Sequence, residues 1–455
     1  MLEIKNASGV GSSIPVAYET DVLVVGGGPA GVGAALGAAR EGGSVMVVEQ
    51  FNCLGGVAGA GGHGHISIYC AWGTRTRTVG GVALDIARNI VDSGFGWMTH
   101  HGTWFEVEGL KLGLERMMQA AGVRLLYHTF FCESIVEDGK VIGAIIQNKN
   151  GRQAILAKRV VDCTGDGDAA ASAGAPFEVG RPSDHKCQPM TLMFTIGAVD
   201  WPKVEAWRTD SQMTHVWEEA QRNGDMEPFQ KTIMGFWWTP TRPDQVGINF
   251  THIIGMDSAK AEDLTAATIE GRRQAFHMIP VFRKYVAGME NCYLASTPNT
   301  VGIRESRRIT GDTVLTEQDM LAGREWEDSI GYGSFFIDIH NIDGAGMDPT
   351  EHFPPVGFKY QIPYRILLPR SVDNLLTAGR CVSVTHLSLG SIRVMAQCIL
   401  TGEAAGAAAA VSINERVSAR SVDIAAVQAS LRKGGAIIDE NDITAANSKP
   451  QFWEE

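Results

Sequence analysis

Residues 21–50, DVLVVGGGPAGVGAALGAAREGGSVMVVEQ, decide how the rest of the chain is read. The run Val22 to Val25 is apolar without alternation, which suits a parallel strand covered on both faces. Gly26-Gly27-Gly28-Pro29-Ala30-Gly31 follows, then a small-residue helix to about Arg40, a Gly42-Gly43 stop and a second apolar run from Val45 to Val48. In this GxGxxG spacing Gly26 makes the tight turn, Gly28 lets the backbone approach a pyrophosphate, and Gly31 lets the helix pack close to the strand. The helix N-terminus adds unpaired N–H groups and a dipole that favour an anion. Glu49, 23 residues past Gly26 with Gln50 beside it, ends the second run where ribose hydroxyls would lie. The stretch predicts a β-α-β unit that holds a dinucleotide. The same spacing recurs at Gly59, Gly61 and Gly64 with no strand before it, and predicts no second nucleotide site.

Working outward, 455 residues are enough for two or three lobes, and 44% hydrophobic with 20% charged residues describe an ordinary globular chain. Glycine is in excess, 53 residues with no period of three, which points to a ligand wrapped by backbone. A formal charge of -12 argues against a nucleic-acid partner. The eight cysteines are dispersed with no CxxC pair, so neither a disulfide framework nor a zinc site is expected. The N-terminus lacks a signal or transit pattern, and the most apolar stretches, 22–39 and 394–411, are broken by glycine or charge. A cytoplasmic protein without membrane association is expected.

The expected organisation is α/β. Residues 15–180 form the first segment of a nucleotide domain, interrupted by a Gly-, His- and Trp-rich insertion at 57–108 with a helix near 80–93. An amphipathic helix near 109–121, strands at 123–127, 141–147 and 159–162, and a hairpin turning at Asp138-Gly139 continue its sheet. Residues 181–358 read as a mixed-sheet α+β substrate domain, with strands at 191–197, 246–250 and 334–339 and helices at 258–277 and 316–325. Residues 359–415 return to the nucleotide domain, with a small-residue helix from about 391 to 412, and 416–455 form a helical tail.

Two later segments, Thr164-Gly165-Asp166-Gly167-Asp168 and Leu376-Thr377-Ala378-Gly379-Arg380, end apolar strands in small residues, and no second, NADH-type fingerprint is present. This arrangement resembles the glutathione-reductase-type FAD-binding fold. More narrowly, LGG at 54–56, VDCTGDGD at 161–168, RESRRITGDTVLTEQD at 304–319, IPYRILLP at 362–369, NLLTAGRCVSVTH at 374–386 and IRVMAQCILTGEAAGAAAA at 392–410 resemble the bacterial FAD-dependent oxidoreductases over nearly the whole length. The resemblance implies FAD as cofactor. It places Gly26, Gly28, Pro29, Ala30, Gly31, Glu49, Gln50, Gly55, Gly56, Val57, Thr164, Gly165, Gly379 and Arg380 against it, with the Cys132 backbone near the adenine edge and Asp168 or Asp166 in contact. It also implies a helix opening at Ser391, Arg393 and Val394 with its N-terminus toward the flavin's pyrimidine end, where the dipole would stabilise charge developing on reduction. Arg380 stands where many such enzymes carry an aspartate on the ribityl hydroxyls, so the Gly379 backbone is the firmer contact.

Candidates for the chemistry fall into three groups. His63 and His65, in GGHGH after LGG, are placed to shuttle a proton beside the flavin, and as an HxH pair they lack a third metal ligand nearby. Arg304 and Arg307, in a cluster with Glu305 and Arg308, suit a carboxylate or a reduced flavin, or an inter-domain ion-pair network. His386, six residues past Arg380, is the preferred single acid/base. Cys53 has no closely spaced partner for a dithiol mechanism. Trp72, Trp97, Trp104, Trp237 and Trp238 offer either an aromatic platform or plain core.

The expected function is hydride transfer between a small polar organic substrate, anionic or sugar-like, and flavin N5, with an external electron donor or acceptor or O2 closing the cycle. Two alternatives stand beside it: a reductase of an activated C=C bond fed by an external donor, and a non-redox hydratase or isomerase using reduced FAD. Homo-oligomerisation is left open.

Overall fold

The computed structural model describes residues 2–5, 11–229, 235–350, 353–451 and 453. Its largest sheet contains five parallel strands in the order Arg124–Leu126, Val45–Val48, Val16–Val25, Gly151–Asp162 and Leu375–Thr377. The unbroken apolar runs are explained by two cores. Val22, Val24, Val45, Val47, Val161 and Leu376 point into one, while Leu23, Val25, Met46, Val48, Val160 and Leu375 point into the other. Gly151–Asp162 also carries the antiparallel part of the same seven-stranded sheet: from Ala154 on it runs parallel to Val16–Val25, and its first half pairs on the other edge antiparallel with Lys140–Asn148, which pairs in turn with Phe130–Glu137. Asp138 and Gly139, at φ 48° and 76°, make the hairpin turn expected there.

The helices Pro29–Ala39 and Met395–Asn414 lie against each other on one face, with backbones close enough that side chains are excluded. A Cβ on Gly406 would lie 1.9 Å from Ala34 O, one on Gly402 2.0 Å from Ala30 O, and one on Gly33 2.1 Å from Ile399 O. This is why both helices are built from glycine and alanine. The helix Gly81–Asp92 and the amphipathic helix Val107–Ala120, with Leu110, Leu114 and Met118 buried, complete that layer.

A second, antiparallel sheet has the order Gly235–Thr239, Arg242–Asn249, Phe194–Gly197 and Tyr293–Ser296. Phe194, Ile196, Val246 and Ile248 face the long helix Ala261–Tyr285 in a separate core, so by alternation Thr195 and Trp237 face the other way. Residues 334–339, expected as a strand, form none: the strand there is Ser329–Gly333, paired with Tyr360–Pro363. The expected helix at 316–325 is shorter, Glu317–Leu321, opened by a capping box between Thr316 and Asp319. Met395–Asn414 is long and apolar enough to cross a membrane, but 94% of its apolar window is buried inside the fold.

Candidate functional site

Three adjacent parallel strands, Val16–Val25, Gly151–Asp162 and Leu375–Thr377, end at the same edge of the sheet. The turns that follow them, at Gly26–Gly28, Cys163–Asp166 and Ala378–Arg380, therefore meet there, where the chain's connections diverge and open α/β sheets bind ligands. The turns line one end of a cavity of about 930 Å3, near the top of the ~300–1,000 Å3 range of ligand sites.

The glycine turn divides its work between packing and opening. Gly26, at φ +98°, sits with its Cβ position 2.6 Å from Cys163 O, and a Cβ on Gly31 would stand 1.9 Å from Gly26 O, so both are packing glycines behind the cavity. Gly28, Pro29 and Ala30 line the cavity itself, and a Cβ on Gly28 would meet only the Gly56 Cα, at 3.9 Å. The Gly55 N–H donates to Gly27 O at 2.8 Å, which lays Gly56 and Val57 along the opposite lip. Gly59, Gly61 and Gly64, the rejected second motif, are steric: their Cβ positions fall 2.1 Å from Leu54 O, 2.6 Å from Val57 O and 2.9 Å from Phe105 O.

Glu49 is not in the lining. Its Oε2 accepts the Gly27 N–H at 2.6 Å and its Oε1 the Phe51 N–H at 2.8 Å, so the carboxylate braces the glycine turn while Gln50 and Phe51 line the cavity. Burial raises its pKa against those two hydrogen bonds. In the second turn Thr164, Gly165 and Asp166 line the cavity, whereas Asp168 stands outside it, accepting from Arg307 Nη1 at 2.7 Å. Asp166 is therefore the acid at the cavity; it accepts from Arg380 Nη1 at 3.0 Å and from Ser258 Oγ at 2.9 Å. In the third turn Gly379, at φ +83°, donates its N–H to Thr401 Oγ1 at 3.0 Å and faces the cavity with Arg380.

The helix expected from Ser391 begins at Met395. A short helix, His386–Ile392, precedes it, and Arg393 and Val394 form the break between the two. Ser391 belongs to the first helix and is not in the lining; its Oγ donates at 2.6 Å to the carbonyl of Phe335, which is in the lining. The N-terminus that opens on the cavity is Met395, with Arg393 and Val394 beside it. Cys132 is exposed on the edge strand Phe130–Glu137, also outside the lining.

Two further preferred residues lie elsewhere. The His386 Nδ1 is 2.8 Å from Oε1 of Glu305, whose carboxylate also receives Arg308 and the Gln188 N–H (3.0 Å); this buried network stands behind the wall, and His386 does not line the cavity. Arg307 is likewise spent on the Asp166 carbonyl and the Asp168 carboxylate. Arg304 does reach the cavity.

The far wall of the cavity comes from the antiparallel sheet and from the small sheet formed by His65–Ile66, Gly102–Phe105 and Gly96–Thr99. All five candidate tryptophans, Trp72, Trp97, Trp104, Trp237 and Trp238, line it together with Trp201. Trp97 stacks on Trp104 at 4.4 Å and 11°, His65 lies 4.4 Å from Trp104, and His63 lies 4.4 Å from Trp237. The two histidines line the cavity and are otherwise partly buried. Desolvation lowers both to about 3, with His65 adding to the shift at His63 and His101 to that at His65, so both are neutral imidazoles.

Sequence reasoning missed a polar group beside them: Asp338 and His340 line the cavity with Arg304 and Arg393. They lie in an irregular segment, and no motif spacing marks them. The thiols are not poised for redox work. Cys53, Cys163 and Cys398 are all free, and burial raises each one's pKa, Cys398 to about 12.

Glycines that open a backbone cradle, two helix N-termini and a cavity extending from Gln50 to Trp238 fit an extended dinucleotide with a redox-active ring. The site is that of a dinucleotide-cofactor enzyme. The family model described as FAD dependent oxidoreductase matches residues 21–431, and the chain belongs to that family. It is a flavin-dependent redox enzyme with FAD as cofactor, acting on a small molecule with a redox partner or O2. No curated protein matches by sequence. Among solved structures the chain is similar to p-nitrophenol 4-monooxygenase PnpA from Pseudomonas putida DLL-E4 (12% identity, 95% of this chain and 93% of that one, TM-score 0.47). It is also similar to the flavin-dependent brominase Bmp2 (14%, 91% and 83%, 0.45) and to a geranylgeranyl bacteriochlorophyll reductase-like protein from Thermoplasma acidophilum (14%, 92% and 82%, 0.44).

Proposed function

We propose that the enzyme oxidises or reduces a small polar organic substrate held between the cofactor and the tryptophan wall, in a cytoplasmic setting suited to its eight free thiols. The bound flavin supplies the two-electron chemistry, exchanging hydride at N5. The single observation that supports this reading is that the three strand-end turns, both neutral histidines and Arg304 open on one cavity.

In this reading residues 15–180 and 359–415 form a cofactor domain of the glutathione-reductase type, residues 181–358 carry the substrate except that Leu315, Met320, Trp326 and Ile330 pack into the cofactor domain's core, and residues 416–455 form a helical tail. Three properties of the chain's own residues matter. The six tryptophans exclude water from the reacting region and give a flat surface for the substrate. His63 and His65 are held in the basic form, ready to accept the proton released when a C–H and an O–H or N–H bond are oxidised, and to return it in reverse. Arg304 orients the polar end of the substrate.

The test is an anaerobic screen of hydroxy acids and sugars for bleaching of the oxidised holoenzyme, and of enoates for return of colour to the dithionite-reduced holoenzyme. An identified substrate should bleach or recolour the His63→Gln and His65→Gln variants at least 100-fold more slowly in one of the two cases. Unchanged rates in both, or a product with no net oxidation or reduction, would contradict the reading.

A further inference from the structure

We propose that Arg304, Arg393 and His340 form a carboxylate subsite, and that the substrate is a ring-bearing carboxylic acid whose ring lies on the tryptophan wall. The inference rests on the reading of this cavity as the substrate site of a flavoenzyme and goes on to name the substrate class.

The argument is one of charge pairing. Of the arginines that line the cavity, Arg208 has Glu205 at 3.1 Å, Arg380 has Asp166 at 3.0 Å and Arg393 has Asp338 at 2.9 Å. Arg304 has no carboxylate within ion-pair distance among the described residues, although it is only 5% exposed. Among the described residues its one hydrogen bond runs from Nη1 to the Pro189 carbonyl, at 2.7 Å. A guanidinium without a counter-anion is costly to bury, and its planar fork matches a carboxylate bidentately.

The surrounding polar atoms are also waiting for partners. His340 is 3% exposed with Nδ1 unpartnered, and the donors Arg393 Nε and Gln188 Nε2 are buried without a hydrogen bond. Asp338 pairs with Arg393 at 2.9 Å and has the His340 Nε2 at 3.4 Å, which leaves Arg304 uncompensated, while burial first and the two guanidinium charges second hold nearby His63 and His340 neutral. The wall lacks one negative charge.

The position of the subsite identifies what should supply it. Arg304 stands two residues past Gly302, which bridges to Thr191 near the antiparallel strand Phe194–Gly197, and Arg393 stands at the helix break before Met395, so the subsite joins the antiparallel sheet to that helix N-terminus. The stacked pair Trp97 and Trp104 and the contact between Trp237 and His63 continue the same wall. An anionic head at Arg304 thus leaves a ring body against indole, which suits either an aromatic ring or the apolar face of a sugar ring.

The test is calorimetric titration of the FAD-loaded enzyme with benzoate, glucuronate, their neutral amides, and acetate. At least one ring acid should bind at least tenfold tighter than its own amide and tenfold tighter than acetate; whichever acid wins identifies the ring as aromatic or saccharide. Arg304→Gln should weaken that acid at least 30-fold while leaving the amide unchanged, and Arg304→Lys should restore part of the loss. Equal affinity for acid and amide, no binding of either ring acid, or acetate as tight as both would overturn the proposal. So would an Arg304→Gln variant that shifts the flavin midpoint potential while preserving the ratio of acid to amide, because Arg304 would then serve the cofactor. Any of these results on a protein that still carries FAD and is bleached by a substrate leaves the functional reading intact. Loss of FAD itself would break that reading instead.

Discussion

The His386 imidazole lies 2.8 Å, Nδ1 to Oε1, from a Glu305 carboxylate whose side chain is fully buried. That contact holds His386 in a buried network outside the cavity lining. Glu305 also takes Arg308 and the Gln188 N–H, while Arg308 reaches the Val384 and Gly180 carbonyls, so the network fastens the late cofactor segment to the strand Arg307–Ile309.

From this arrangement His386→Gln is expected to lower unfolding stability by about 1–3 kcal/mol with kcat within twofold of the wild type. Glu305→Ala, which strands the buried Arg308, should cost about 3–5 kcal/mol. Urea denaturation beside steady-state kinetics separates the two effects. A large loss of kcat in a fully folded His386→Gln enzyme would return His386 to the reaction.

The depressed pKa of His65 has a pH signature. Its folded value of about 3 lies below the ordinary 6.5, so the unfolded chain binds more protons between those values and stability falls as the pH drops through that window. Between pH 7.5 and pH 5 the wild type should lose about 2 kcal/mol more stability than His65→Gln. Parallel losses in the two proteins would mean that the imidazole titrates normally.

Helix contact through glycine makes Gly406→Val destabilising by about 3 kcal/mol or more, because its Cβ would stand 1.9 Å from Ala34 O with backbone on both sides. Thermal unfolding of the variant measures this directly. An unchanged midpoint would contradict the close approach of Pro29–Ala39 and Met395–Asn414.

Much of this was legible in the sequence because it rests on local rules. Val22–Val25 and Val45–Val48 read as doubly covered strands, and GGGPAG read as a strand-to-helix turn, since backbone sterics leave few other solutions. The turns at Thr164 and Gly379 were legible as strand ends in small residues. What failed was the side of the wall on which a residue falls. His386 is close to Arg380 in sequence, but the short helix His386–Ile392 turns it toward Glu305. Asp168 is two residues from Asp166 yet begins a helix and pairs with Arg307, and Glu49 turns back to the Gly27 and Phe51 N–H groups. The helix start slipped from Ser391 to Met395 because no glycine or proline marks the break, where Val394 takes an extended conformation. Asp338 and His340 meet Arg304 only through tertiary packing, which no spacing encodes.

The most direct test of the central claim compares the visible spectrum of the wild type with that of Gly28→Val, each recorded before and after denaturation and precipitation. At φ -68° the backbone of residue 28 accepts a side chain, and its Cβ position meets only Gly56 Cα at 3.9 Å, so the substitution puts its methyl groups into the cofactor cradle, with circular dichroism as the check that the fold is kept. The account predicts flavin bands in the wild type, released to the supernatant, and a colourless Gly28→Val protein with an unchanged circular dichroism spectrum. A Gly28→Val protein that retains as much flavin as the wild type, or a wild type that stays colourless after incubation with FAD, would contradict it.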